Sequence, residues 1–110
     1  MRYLALEREL PALPRADLAD LLRQEAAAVW QLQKSGIVRD VWFTAERHAV
    51  VMLECPSLAA ARGHLAALPL VRAGRIEFTV LELQAYDGYE RLFGRPPAPG
   101  KGAAENGPEY

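Results

Sequence analysis

Residues 37–54, IVRDVWFTAERHAVVMLE, decide the fold. The runs 37–44 and 47–54 are rich in Val and aromatic residues, which fit a pleated, half-buried surface. Only Ala45 and Glu46 lie between them, so the segment reads as two antiparallel strands joined by a tight hairpin. Upstream, Arg15 to Ser35 carries Leu18, Leu21, Leu22, Val29 and Leu32 at helical spacing. Gly36 then stands where a helix C-terminus places its left-handed residue.

Further upstream, residues 2–10 (RYLALEREL) read as a strand with Leu4, Leu6, Arg8 and Leu10 on one face. Pro11 and Pro14 end it and lead into the helix. Downstream of the hairpin, Ser57 is a candidate N-cap for a second helix over 58–68. Leu58, Ala61, Leu65 and Leu68 share one side of that helix, and Pro69 stops it. A last strand follows over 76–86 (IEFTVLELQAY). The order β-α-β-β-α-β predicts an α+β, ferredoxin-like fold, with a four-stranded antiparallel sheet and two helices on one face.

The strands are apolar on both sides. Val41 and Phe43 oppose Val38 and Trp42, Val51 and Leu53 oppose Val50 and Met52, and Ile76, Phe78 and Val80 oppose Leu81 and Leu83. Helices on one face cover only half of this surface. The expected cover for the other half is a second copy of the same sheet, giving a homodimer or a higher homo-oligomer.

The chain has 110 residues, enough for one domain with its own core. Residues 94–110 hold four of the eight Gly and four of the eight Pro, with Tyr110 the one large apolar side chain. The folded domain is therefore expected over 1–93. The remainder reads as a flexible tail, or as a segment that docks on a partner subunit or covers a pocket. Thirteen Lys and Arg against fourteen Asp and Glu give a formal net charge of -1, which leaves no basic footprint for nucleic acid or anionic lipid. Cys55 is the single cysteine, so no internal disulfide forms. Glu7, Arg8 and Glu9 interrupt the first ten residues, and no apolar run approaches a membrane span. The expected setting is the cytoplasm.

One residue is out of place on the first helix. With Leu18 as origin, Glu25 falls about 20° away, in the middle of the apolar stripe. A carboxyl group aimed at a core loses hydration, and its neutral form is favoured. That suits general acid–base work near neutral pH. The alternatives are a Glu paired with a buried Arg, or one at the rim of a short-sided core. Arg47 and His48 open the third strand on opposite faces, so at most one of them shares the Glu25 side. Arg47 is suited to clamp a substrate carboxylate. Trp30 and Trp42 are candidate pocket walls for a flat ring, with packing the competing role for both, and Tyr3 is a candidate phenol at the pocket mouth. His64 lies opposite the second helix's apolar side and reads as surface. There is no phosphate loop, no CxxC and no His pair at metal spacing, so an enzyme here is expected to use acid–base chemistry without a metal.

The stretches RQEAAAVWQLQKSGIVRDVWFTAERHAVVMLE (23–54) and LAALPLVRAGRIEFTVLEL (65–83) resemble the muconolactone isomerase family, of the dimeric ferredoxin-like α+β barrel superfamily. The resemblance covers about residues 15–85. It implies a small cofactor-free protein that dimerises through its sheets and moves a ring double bond in aromatic-compound catabolism by proton transfer between carbons. It aligns Glu25 with the family's proton-transferring Glu, and puts His48 where the family's isomerases carry an aromatic hydroxyl residue. The expected function is a proton shift on a small enol lactone or related carboxylic acid. Glu25 and His48 would be the catalytic residues, with Arg47, Trp42, Trp30 and Tyr3 binding the substrate. Two other readings stay open: a cofactor-free monooxygenase with Trp30, Trp42, His48 and Tyr3 around its cavity, and a non-enzymatic dimeric binding module.

Overall fold

The computed structural model describes residues 1–94; the expected tail beyond Gly94 lies outside the described residues. Four strands, β1 (Arg2–Glu9), β2 (Val38–Phe43), β3 (Ala49–Glu54) and β4 (Ile76–Leu83), form one sheet in the order β2-β3-β1-β4. Every neighbouring pair is antiparallel. Helices α1 (Leu18–Lys34), α2 (Leu58–Ala66) and the short α3 (Pro69–Arg72) complete the ferredoxin-like α+β arrangement.

Two helix ends are closed alike. After α1, Ile37 N–H donates to the Leu32 carbonyl at 3.0 Å and Gly36 N–H to the Gln33 carbonyl at 3.1 Å, with Gly36 at φ 85°. After α3, Arg75 and Gly74 donate to Leu70 and Val71, with Gly74 at φ 73°. Both are Schellman motifs, and both turn the chain straight into a strand. At the other end of α2, the Ser57 hydroxyl accepts from Ala60 N–H at 3.1 Å, the expected cap.

The core lies between the helices and one face of the sheet. Tyr3, Ala5, Val51 and Leu53 from the strands meet Ala61, Leu65 and Leu68, all buried. On β1 the core face is therefore Tyr3, Ala5 and Glu7, while Leu4 and Leu6 point the other way. The outer rows run Trp42–Val50–Leu6–Thr79 and Asp40–Met52–Leu4–Leu81 across the four strands. Trp42 and Leu81 are exposed there, so the second apolar face expected from the sequence is present.

Several local readings are corrected. Strict alternation puts Val38 beside Trp42, but Val38 is buried in the core. The β2–β3 register shifts between Val38 and Asp40, and this bulge at Arg39 moves Val38 to the inner side. The hairpin loop is also longer than two residues. Thr44 N–H donates to the His48 carbonyl at 2.8 Å, Arg47 N–H donates to the Thr44 carbonyl at 2.8 Å, and Arg47 sits at φ 70°. This is a three-residue loop, a turn followed by a left-handed residue. The second helix ends at Ala66, because Pro69 begins α3 rather than a plain loop. The last strand stops at Leu83, and Gly88–Phe93 form a 3-10 helix.

Candidate functional site

The apolar stripe of α1 does not close fully onto the sheet. Leu22 and Trp30 remain well exposed, and a cavity of about 500 Å³ opens between α1, the inner sheet face and α3. That volume suits a small organic ligand. Its walls are mainly apolar, from Leu22, Val29, Trp30, Phe43, Leu70 and Phe78 among others. The polar side chains that line it are Glu7, Glu25, Gln33 and Arg47.

Glu25 enters this cavity from the middle of α1, partly buried. Its Oε1 accepts from Leu70 N–H at 2.9 Å. Leu70 is in the first turn of α3, where backbone N–H groups have no partner within the helix, and Leu68 supplies no side-chain cap. The carboxylate thus serves as that cap across 45 residues of sequence. Among the described residues, Oε2 has no hydrogen-bond partner. Burial raises the Glu25 pKa above the ordinary carboxylate value; the Leu70 hydrogen bond pulls it down, and the charge of Glu7 adds to the rise. Desolvation is the largest of the three, so the net direction is upward.

Arg47 reaches the same cavity from the hairpin loop, which answers which of Arg47 and His48 shares the Glu25 side. Its guanidinium carbon lies 4.1 Å from the centroid of the Phe43 ring. None of the ion pairs among the described residues involves Arg47. A guanidinium resting on a ring face, without a carboxylate partner, is placed to receive one from a ligand.

The structure brings Glu25, Arg47 and Trp30 together and leaves the other three candidates outside the cavity lining. Tyr3 is only 1% exposed in the core, and its hydroxyl donates to the Met1 sulfur at 3.7 Å. Trp42 is 64% exposed on the outer sheet face. His48 lies across from Thr44, and its backbone N–H donates to the Thr44 hydroxyl at 3.1 Å. Sequence reasoning missed Glu7 and Gln33. Among the described residues, no group of three or more His, Cys, Asp or Glu could hold a metal ion, and no helix is long and apolar enough to cross a membrane.

No family model matches the sequence, and no curated protein does. Solved structures match its fold. Muconolactone isomerase aligns with a TM-score of 0.68 at 22% identity, over 78% of this chain and 91% of that one. The 5-chloro-2-hydroxyhydroquinone dehydrochlorinase of Burkholderia phenoliruptrix AC1100, in complex with 2,5-dihydroxybenzoquinone, aligns with a TM-score of 0.59 at 14% identity. That alignment covers 80% of this chain and 98% of the dehydrochlorinase. The likeness bears out the resemblance drawn from residues 23–54 and 65–83 at the level of the fold.

Proposed function

We propose that the protein is a muconolactone isomerase-like enzyme, moving a proton between two carbons of a small enol lactone or related carboxylic acid. One observation carries the reading. A partly buried carboxyl group with one oxygen anchored and the other free shares an apolar cavity with an unpaired guanidinium.

The chemistry follows from that arrangement. Arg47 binds the substrate carboxylate, and Trp30 and Phe43 wall the ring. Glu25 Oε2 takes a proton from the carbon next to the unsaturated system, and the electron pair moves into the conjugated carbonyl as a dienolate. Glu25 then returns the same proton to the far carbon, so the double bond has shifted and nothing is consumed. The Oε1 hydrogen bond fixes the carboxyl orientation throughout, and burial raises its proton affinity, the direction that favours holding the proton between the two transfers. Gln33 supplies a further amide donor for developing charge. His48, by contrast, has no place at the cavity wall, so the proton shuttle rests on Glu25 alone.

The named chemistries of the two structural neighbours, an isomerisation and a dehydrochlorination of cyclic substrates, support this class of reaction. Of the four residues on which the monooxygenase reading rests, only Trp30 lines the cavity, which favours proton transfer over oxygen chemistry. The binding-module reading draws on the cap that Glu25 gives to α3, a structural role that needs no chemistry. Deuterium exchange into substrate carbons, compared between wild type and Glu25→Gln, separates the two.

We also propose that a second copy of the chain covers the outer sheet face. Leu4, Leu6, Trp42, Val50, Met52 and Leu81 form a continuous apolar patch there. At the two ends of β1 the ion pairs Arg2–Glu54 and Arg8–Glu77 neutralise the charges that flank the patch.

A further inference from the structure

Glu7 has no role in the chemistry above, yet it stands inside the same cavity as Glu25 and Arg47. It projects from the core face of β1, where Tyr3 and Ala5 are buried. The β1–β3 ladder ends at the pair Leu6–Val50. At the next position, where a backbone bond would continue the ladder, the Glu7 carboxylate accepts from Ala49 N–H at 2.6 Å. Ala49 is the first residue of β3, two residues beyond the left-handed Arg47. A side-chain oxygen therefore takes over from the sheet at the point where the hairpin loop joins it.

We propose that Glu7 is a positioning residue of this site: its carboxylate pins the head of β3, and with it the loop that presents Arg47, while setting a second negative charge beside Glu25. The inference rests on the proposed function for its meaning in catalysis, but its physical content does not depend on any substrate. The cavity is walled by β1, α1, β2, the hairpin loop, β3, α3 and β4. The ionisable side chains they contribute are Glu7, Glu25 and Arg47. The walls are otherwise almost wholly apolar, with Gln33 the one further polar side chain among the lining residues. Two carboxylates and one guanidinium leave one negative charge in excess, and an anionic substrate would add another. That excess is relieved when Glu25 holds a proton, in the same direction as the raised Glu25 pKa. Glu7 also lines a neighbouring, more polar cleft with Glu9 and Arg75, so it meets water on a side that Glu25 does not share.

The test uses the ligand-free protein and two variants. In Glu7→Gln the amide oxygen still accepts from Ala49 N–H, so geometry is kept while the charge is lost. In Glu7→Ala both are lost. The 13C signal of the Glu25 carboxyl, identified by its absence in Glu25→Gln, is followed through a pH titration. Amide hydrogen exchange is followed at Ala49. The expected results are a lower Glu25 midpoint in Glu7→Gln with Ala49 protection retained, and Ala49 exchange about tenfold faster in Glu7→Ala. An unchanged Glu25 midpoint in Glu7→Gln overturns the electrostatic role, and unchanged Ala49 protection in Glu7→Ala overturns the anchoring role. If Glu7→Ala does not fold, loss of Ala49 protection in Glu7→Gln contradicts the anchoring through the amide oxygen, and its retention supports it. A protein that exchanges no substrate protons at all refutes the isomerase reading and leaves these two results as they stand.

Discussion

Glu25 on α1 and Leu70 on α3 are tied by a 2.9 Å hydrogen bond from a helix-end amide to one carboxylate oxygen. The bond gives the carboxyl group a fixed orientation without a counter-cation. A neutral amide can make the same bond, which allows structure and chemistry to be separated by substitution. Glu25→Gln is expected to retain the α3 cap and the melting temperature within a few degrees, while kcat falls by roughly 10²–10⁴-fold. Glu25→Ala is expected to lose both, with about 1 kcal/mol of stability gone and a melting temperature lower by about 4–8 °C. Thermal denaturation alongside steady-state kinetics checks the pair.

The raised pKa of Glu25 makes a signed prediction about pH. Folding favours its protonated form, so the folded protein binds more protons than the unfolded chain over that range. The contribution is fully present below the unfolded carboxyl value, taken as 4.5, and is lost as pH rises through the folded value above it. Wild type should thus lose stability relative to Glu25→Gln as pH climbs through that window. Activity should run the opposite way, rising as Glu25 ionises to become a base. Urea unfolding at several pH values and a pH–rate profile read the two trends.

Arg47 holds a left-handed backbone conformation that costs a side-chain-bearing residue about 1–2 kcal/mol. Its contact with Phe43 returns about 0.5–1 kcal/mol. Arg47→Gly should therefore leave the fold as stable as wild type or slightly more so. If the guanidinium holds a substrate carboxylate, the same change should raise KM by roughly ten- to hundredfold. Calorimetric melting and substrate titration of this variant decide it. A fall in stability would count against the strained-loop account.

Trp42 tests the proposed pairing of sheets. It is exposed within one chain, so Trp42→Glu should change the stability of a monomer by no more than about 0.5 kcal/mol. Across a two-fold interface the same change buries like charges near one another. Sedimentation velocity should show wild type as a dimer or larger and Trp42→Glu shifted toward monomer. Equal sedimentation of both would remove this face from the assembly.

The element order was legible because hydrophobic period and helix punctuation agree along most of the chain, as at Gly36, Ser57 and Pro69. What escaped the sequence has local physical causes. A single extra residue at Arg39 reversed the side of Val38, and alternation alone carries no sign of a bulge. The left-handed loop residue was Arg rather than Gly or Asn, so the hairpin looked two residues long. Glu25 was legible because a charge inside an apolar stripe breaks a helical pattern. Glu7 was not, because in RYLALERE it stands beside Arg8 and Glu9 and looks like part of a solvated run. Trp42 and Tyr3 were drawn to the site by residue type, and the sheet sent one outward and the other into the core.

The central claim is that Glu25 moves protons at carbon, and deuterium entry tests it most directly. Wild type and Glu25→Gln are incubated in D2O with muconolactone and a panel of other enol lactones and butenolide acids, and carbon-bound deuterium is read by NMR. This detects proton abstraction even where no product accumulates. The account predicts incorporation at carbons next to the unsaturated system by wild type, and little or none by Glu25→Gln. Equal incorporation by both proteins, or none by wild type across the panel, would contradict it and leave Glu25 as the cap of α3.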